Sequence, residues 1–205
     1  YRRLNADTTE TREIFKPYAA DVNIEFRLAK IDPNGNCTDG IVRVNSELTY
    51  QARDEVKATS YWPSDRYFNV WTVATIEGSS GGTTLGYAQF PGFGAWNTYG
   101  FVSRADALGG RTATHEVGHW LNLRHIWGDS NCGNDFCNDT PEHSGSNYGC
   151  PSYPSTSNCS GNGTSGDMFM NYMDYTDDAC MNIFTQDQKT RMIASINNNR
   201  SGLLT

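Results

Sequence analysis

The sequence predicts an α+β protein, with strands and helices in its first half, one histidine-bearing helix near the middle, and a long irregular segment closed by a last helix. Three observations predict this. Apolar residues alternate with polar ones over residues 21–31 and cluster over 66–76, as they do in strands. Residues 115–125 read HEVGHWLNLRH, a helical pattern with a stop signal at Asn122. Residues 126–166 are poor in apolar side chains and rich in turn formers and cysteine, so they bury little by themselves and need cross-links or ions to hold them.

The elements follow in order. Residues 7–20 read as a first helix with Pro17 near its end. Along 21–31, Val22, Ile24, Phe26 and Leu28 share one face and Asn23, Glu25 and Arg27 the other, which predicts a half-buried strand. Residues 41–44 predict a short strand, and 46–60 a helix capped by Ser46. The run 66–76, with Tyr67, Phe68, Val70, Trp71, Val73 and Ile76, predicts a buried strand. Gly78 to Thr84 form a turn, and residues 85–90 a strand closed by Pro91-Gly92, which suits a sheet edge. Residues 101–103 add a short strand, and the histidine helix runs over 111–121. Thr185 followed three residues later by Gln188 is a capping box that opens a helix to about residue 198, with Met192, Ile193 and Ile196 inward. The strand-bearing part and the loop-rich part imply a cleft at their junction.

The chemistry concentrates in the histidine segment. His115 and His119 are four residues apart and leave a helix on one face, where a zinc ion fits between them. Glu116 lies beside that face and can hold a water without being a ligand. On a straight helix His125 would lie about 15 Å along the axis from His115, at 1.5 Å rise per residue. A third ligand therefore requires the chain to turn back, and Asn122 stands where it must, since Asn tolerates the left-handed conformation that ends helices. A bare H-E-x-x-H also arises on ordinary helices with surface histidines. In this chain three of the four histidines fall in the one segment, which packing does not explain.

Composition narrows the class. The 205 residues suffice for one domain with a full core, or two small subdomains, and the net charge is −7. No run approaches the apolar length that spans a membrane, and no Lys/Arg cluster suits nucleic acid. Six cysteines, Cys37, Cys132, Cys137, Cys150, Cys159 and Cys180, suggest disulfides and an oxidising compartment, with free thiols or a second zinc site as the alternatives. The absence of any C-x-x-C pair disfavours a zinc site made of four cysteines. The start at Tyr1, without Met or a signal peptide, reads as a mature or truncated form of a secreted precursor. N-x-S/T sequons stand at Asn36, Asn138, Asn158, Asn162 and Asn199. Nothing in the sequence sets the oligomeric state; a monomer is expected.

Three further stretches complete a pattern. HEVGHWLNLRH, the D-x-C-N-D-T-P segment at 135–141 and NYMDYTDDACMNIFT at 171–185 together resemble the pappalysin family of metzincin zinc peptidases, and Leu85 to Pro91 is similar to that family's cleft-edge strand. The chain departs from metzincins at Asn122, where they have Gly, and at Cys137, where an apolar residue is expected. The resemblance implies a metzincin-like fold: an upper mixed twisted sheet with backing and active-site helices, about residues 1–125; a lower loop-rich part with the C-terminal helix, about 126–205; one catalytic domain, zinc in the cleft between.

It also implies roles. His115, His119 and His125 would bind one zinc, with Glu116 as general base on the zinc-bound water and then proton donor to the leaving amine. Met173 would form the floor of the metal site, and Tyr175 would stabilise the tetrahedral oxyanion. Asp178, with Asp177 as the neighbouring competitor, would sit at the base of the S1′ pocket and select Arg or Lys after the scissile bond. Leu85, Gly86, Tyr87 and Ala88 would take the peptide by strand addition. Asp135, Asn138, Asp139, Thr140 and Glu142 would hold one or two structural calcium ions. The disulfides implied are Cys132–Cys159 and Cys150–Cys180, leaving Cys37–Cys137 by subtraction. His143 is expected on the surface.

The function so implied is a secreted zinc endopeptidase acting on peptides or proteins. The rival from another class is a secreted, non-catalytic binding module stabilised by zinc and calcium; a zinc hydrolase acting on a non-peptide amide is a third reading that ligand spacing alone leaves open. Only three good ligands are visible, fewer than a structural zinc usually has, and Glu116 would have no purpose in such a module.

Overall fold

The structure, a computed structural model, describes residues 11–78 and 83–204. The chain divides into two compact units: Tyr1–Ile24 with Leu121–Ala194, and Glu25–Trp120 with Ser195–Thr205. The first stretch of chain therefore belongs with the irregular half, and the last one with the strands.

The strand-bearing unit is built on a three-stranded sheet in the order β1-β3-β2. Strand β1 (Asn69–Val73) runs parallel to β3 (Gly100–Arg104), with Trp71 opposite Val102, and β2 (Gly86–Ala88) runs antiparallel to β3, with Tyr87 opposite Val102. The run 66–76 is less buried than its sequence suggests. Asn69, Trp71 and Val73 point inward while Val70 is 42% exposed, so β1 alternates as a one-sided strand does. Trp71, Val73 and Val102 pack with Ala52 and Val56, and Tyr61, Ile76 and Tyr87 close the cluster. Lys57 is buried there, with its ammonium ion-paired to Asp54 at 2.8 Å and set over the rings of Tyr87 and Trp71.

Helix α1 (Thr112–Trp120) packs on β2 and β3 and buries every residue from His115 to Trp120. Phe68, just before β1, lies 4.0 Å from the Trp120 ring, centroid to centroid, which fixes the end of α1 to the sheet.

Several expected elements are absent or shorter. Residues 21–29 form no strand: Asn23 is left-handed (φ 57), Val22 is buried, but Phe26 and Leu28 are exposed. Alternation makes a strand only where a neighbour supplies backbone partners, and none of the described strands lies alongside. Residues 41–44 likewise stay irregular and exposed. The helix expected over 46–60 resolves into two 3-10 turns, Glu47–Thr49 and Asp54–Thr59, and Ser46 caps the first by accepting from the Leu48 N–H. Residues 7–10 of the first expected helix, and 79–82 of the expected turn, lie outside the described residues; the described part of the former holds a 3-10 turn, Lys16–Tyr18.

The other unit gathers Phe15, Ile126, Met168, Phe169, Met170 and Ile183 into a core, with Ala19, Trp127 and Tyr153 against it. Around it run loops, a two-residue parallel pair, β4 (Tyr148–Gly149) with β5 (Tyr175–Thr176), and helix α2 (Gln186–Asn199). The capping box forms as expected: the Thr185 hydroxyl accepts from the Gln188 N–H at 3.3 Å, and the Gln188 side-chain oxygen Oε1 accepts from the Thr185 N–H at 3.0 Å. Of the apolar positions named for this helix, Met192 and Ile196 are buried and Ile193 is half-buried.

Two disulfides staple the loops, Cys132–Cys159 and Cys150–Cys180. The third expected bridge does not exist. Cys37 is an exposed free thiol at the foot of the turn closed by the Ile31–Cys37 bridge, and Cys137 is a buried free thiol. Cys137 lies within its own loop against the Asp135 carbonyl, where it packs as a small apolar side chain, and burial pushes its thiol pKa up.

Candidate metal centre

The reversal after α1 occurs where the spacing requires it. Asn122 takes a left-handed conformation (φ 74), and its carbonyl accepts from Nε of Arg191 on α2 at 2.6 Å. The result brings His115, His119 and His125 together, with one ligand nitrogen from each and all three within 4.8 Å of one another. The Nε2 atoms of His115 and His119 lie 3.0 Å apart, their rings nearly perpendicular. The Phe90 ring stands 5.2 Å from that of His119.

Glu116 is buried, and its Oε2 has no hydrogen-bond partner among the described residues. Burial pushes its carboxyl up to about 8. Gly86 of β2 leaves the space that Glu116 fills: a Cβ at residue 86 would meet Glu116 Cγ at 2.9 Å. Among the described strands β2 lies at the sheet edge and pairs only with β3, so no described strand takes up its outer main chain.

His125 is held from three sides. Its Nδ1 is hydrogen-bonded to the Asp129 carboxylate, its ring stacks on Trp127 (4.3 Å, 3° between planes), and Tyr175 meets it edge-on at 4.8 Å. Burial keeps its imidazole below the usual pKa, against the opposing pull of Asp129. The next N–H, that of Ile126, donates to the Met173 carbonyl at 3.1 Å. Met173 is fully buried, and its own N–H donates to Asn171 Oδ1. Asn171 exchanges two hydrogen bonds with Gln188 of the capping box, at 2.9 and 3.0 Å. The turn at Met173 is thus pinned to α2 on one side and to the residue after the third histidine on the other.

The remaining expected residues are spread more widely. Asp178 is exposed in the turn 177–180, rather than partly dry as expected, and Tyr175 is 41% exposed. Leu85, Gly86, Tyr87 and Ala88 form or border the edge strand. In the 135–142 loop each carboxylate already has a local donor. Asp135 accepts from the Cys137 N–H and the Thr140 hydroxyl, Asp139 from the Asp187 N–H, and Glu142 from the Gly161 N–H. Asn138 is exposed. Among the described residues the histidine trio is the one group of three or more His, Cys, Asp or Glu side chains close enough to share an ion, so these carboxylates are not gathered round a common point. His143 is the reverse of its expectation. It is fully buried, with Nε2 accepting from the Met168 N–H at 3.0 Å and Nδ1 3.6 Å from Asp174.

The donor set fits zinc. Three neutral imidazoles suit that ion and leave it an open position, while the adjacent carboxylate, buried without a partner, matches a group meant for a substrate or water. A divalent cation on the imidazoles would draw the raised pKa of Glu116 back down. Sequence reasoning found these four residues. It missed Asp129, whose signal was a carboxylate four residues beyond a ligand, and Arg191, which carries no local signal because its partner is 69 residues away.

Residues 50–197 match the family model described as Pregnancy-associated plasma protein-A. The chain belongs to this family, the pappalysins. Solved structures agree. Mature mirolysin of Tannerella forsythia in complex with a cleaved peptide superposes with a TM-score of 0.88 at 43% identity, covering 99% of this chain and 83% of that one. A promirolysin mutant from the same organism gives 0.82 at 40% identity, over 98% and 72%. The fold is therefore metzincin-like and α+β. Among curated relatives, an extracellular metalloprotease of Colletotrichum graminicola is 36% identical over 69% of this chain and 59% of its own length. Extracellular metalloprotease 1 of Coccidioides posadasii is 38% identical over 59% of this chain and 48% of its own. This pappalysin thus spans about a third to three fifths of the length of the curated relatives it matches, from 30% to 59%. No described helix is long and apolar enough to cross a membrane.

Proposed function

We propose that this pappalysin is an extracellular zinc-dependent endopeptidase. The observation that carries the reading is the convergence of three imidazole nitrogens within 4.8 Å, next in sequence to a buried carboxylate oxygen that lacks a partner. Relatives named extracellular metalloproteases, and a similar structure that holds a cleaved peptide, support the same class.

His115, His119 and His125 would hold the ion. When bound, zinc supplies a Lewis acid that acidifies water and polarises the scissile carbonyl. The other work falls to the chain. The outer edge of β2 pairs with an extended peptide through main-chain hydrogen bonds. Glu116 takes a proton from water as its oxygen attacks the carbonyl carbon. As the C–N bond breaks, Glu116 passes that proton to the departing amine. Tyr175 donates its hydroxyl hydrogen bond to the oxygen that gains charge. The Asp178 carboxylate favours Arg or Lys on the primed side. Met173 gives the His125 segment an apolar support. For calcium in the 135–142 loop the support is the resemblance and one atom, Asp139 Oδ1, which is buried with no hydrogen-bond partner.

Glu116→Ala tests the mechanism. It should retain one zinc per chain and lose about 10²–10⁴-fold in peptide cleavage; an unchanged rate rules the mechanism out. Chelation that stops cleavage, with recovery on adding zinc, separates the enzyme from a binding module. A peptide library read for the residue after the cut, compared between wild type and Asp178→Ala, decides the primed-side preference.

A further inference from the structure

After His125 the backbone doubles back within four residues. The Gly128 N–H donates to the His125 carbonyl at 2.8 Å, and Gly128 and Asp129 both take left-handed conformations, φ 61 and φ 62. Gly128 has no room for a side chain, because a Cβ there would run into the backbone of Gly133 and Asn134. For Asp129, which has a Cβ, that conformation is less favourable than it is for glycine. A strained residue persists where the surrounding structure demands it, and such residues gather at functional sites. What this turn achieves is specific: it returns the Asp129 carboxylate to Nδ1 of His125. The Trp127 ring, stacked parallel on the imidazole, and the edge of Tyr175 fix the plane of the ring but not the position of its proton.

A carboxylate accepts and does not donate, so it selects the tautomer with hydrogen on Nδ1. Nε2 then carries the lone pair, and Nε2 is also the nitrogen through which His115 and His119 face each other. We propose that Asp129 is the positioning residue of the third metal ligand, holding the proton on Nδ1 of His125 so that Nε2 is presented to the ion. The proposal rests on the zinc reading above and adds a residue to it.

The test uses Asp129→Ala and Asp129→Asn in the intact chain, with two readouts. In the metal-free protein, nitrogen NMR of His125 should show the Nδ1–H tautomer in wild type and its loss in Asp129→Ala. Asp129→Asn, whose amide oxygen still accepts, should keep most of it. Zinc affinity, measured by competition with a chromophoric chelator, should fall about 10–100-fold in Asp129→Ala and much less in Asp129→Asn. Far-UV circular dichroism confirms that each variant is folded. An unchanged tautomer in Asp129→Ala overturns the proposal, as does an unchanged zinc affinity when wild type binds tightly. A wild-type chain that binds no zinc while the tautomer contrast persists overturns the metal reading instead.

Discussion

Gly86 of β2 and Glu116 of α1 are packed so closely that a Cβ on residue 86 would approach Glu116 Cγ to 2.9 Å, Oε1 to 3.1 Å and Thr112 Cγ2 to 3.1 Å. The strand proposed to receive substrate and the carboxylate proposed to move its proton are therefore spaced by the absence of one side chain.

Gly86→Ala should push Glu116 aside by some tenths of an ångström or more without unfolding the sheet. Misplacement of a reacting group by about 1 Å can cost 10²-fold, so kcat/KM on a quenched fluorescent peptide should fall tenfold or more. Zinc content and the thermal midpoint should change little. Undiminished turnover would show that Glu116 does not act from this position.

Asn122 sits in the left-handed region (φ 74), where glycine has no penalty. Asn122→Gly should leave stability within about 1 kcal/mol of wild type, and Asn122→Val should lose about 1–2 kcal/mol, both read by urea unfolding. The Val variant should also bind zinc more weakly, since His125 lies beyond the bend.

Asp135 gives a pH signature. Burial, opposed by hydrogen bonds from the Cys137 N–H and the Thr140 hydroxyl, raises its carboxyl to about 6. The folded value exceeds the unfolded one of about 3.9. The contribution of this group to stability is therefore greatest below the unfolded value and declines as pH rises to about 6. The loss is on the order of 3 kcal/mol at 1.36 kcal/mol per unit. In a chelator, Asp135→Asn should match wild type near pH 4 and exceed it near pH 7.5. A gap that does not widen with pH would contradict this account. Added calcium should close the gap if the loop binds that ion.

The thiols can be counted chemically. Iodoacetamide on the native protein should label Cys37 alone, and Cys137 should react only in denaturant. The other four cysteines should react only after reduction. Protection of Cys37 in the native chain would reinstate a bridge to it.

The metal centre was legible because its chemistry is local. Three histidines, a glutamate and a helix-ending asparagine lie within eleven consecutive residues, so helical periodicity and one turn rule suffice to bring them together. The capping box at Thr185 and Gln188 was legible for the same reason. The alternation over 21–31 misled because it describes side chains, whereas a strand also needs a partner backbone, and Asn23 breaks the extended path. Subtraction failed for Cys37 and Cys137 because an even count does not oblige every thiol to pair. His143 went unrecognised as interior because the N–H that needs its ring nitrogen belongs to Met168, 25 residues on. The division of the chain was partly hidden too, since the N-terminal stretch joins the later unit through contacts such as Ala19 with Thr185.

The disulfides Cys132–Cys159 and Cys150–Cys180 overlap, each enclosing one end of the other. A backbone cut anywhere between residues 132 and 180 would therefore leave both fragments tethered covalently. For a chain that acts as the proposed peptidase among copies of itself, that interlock means a clipped molecule keeps its parts together in the least regular stretch of the chain. Such damage would surface on a gel only once the sample had been reduced.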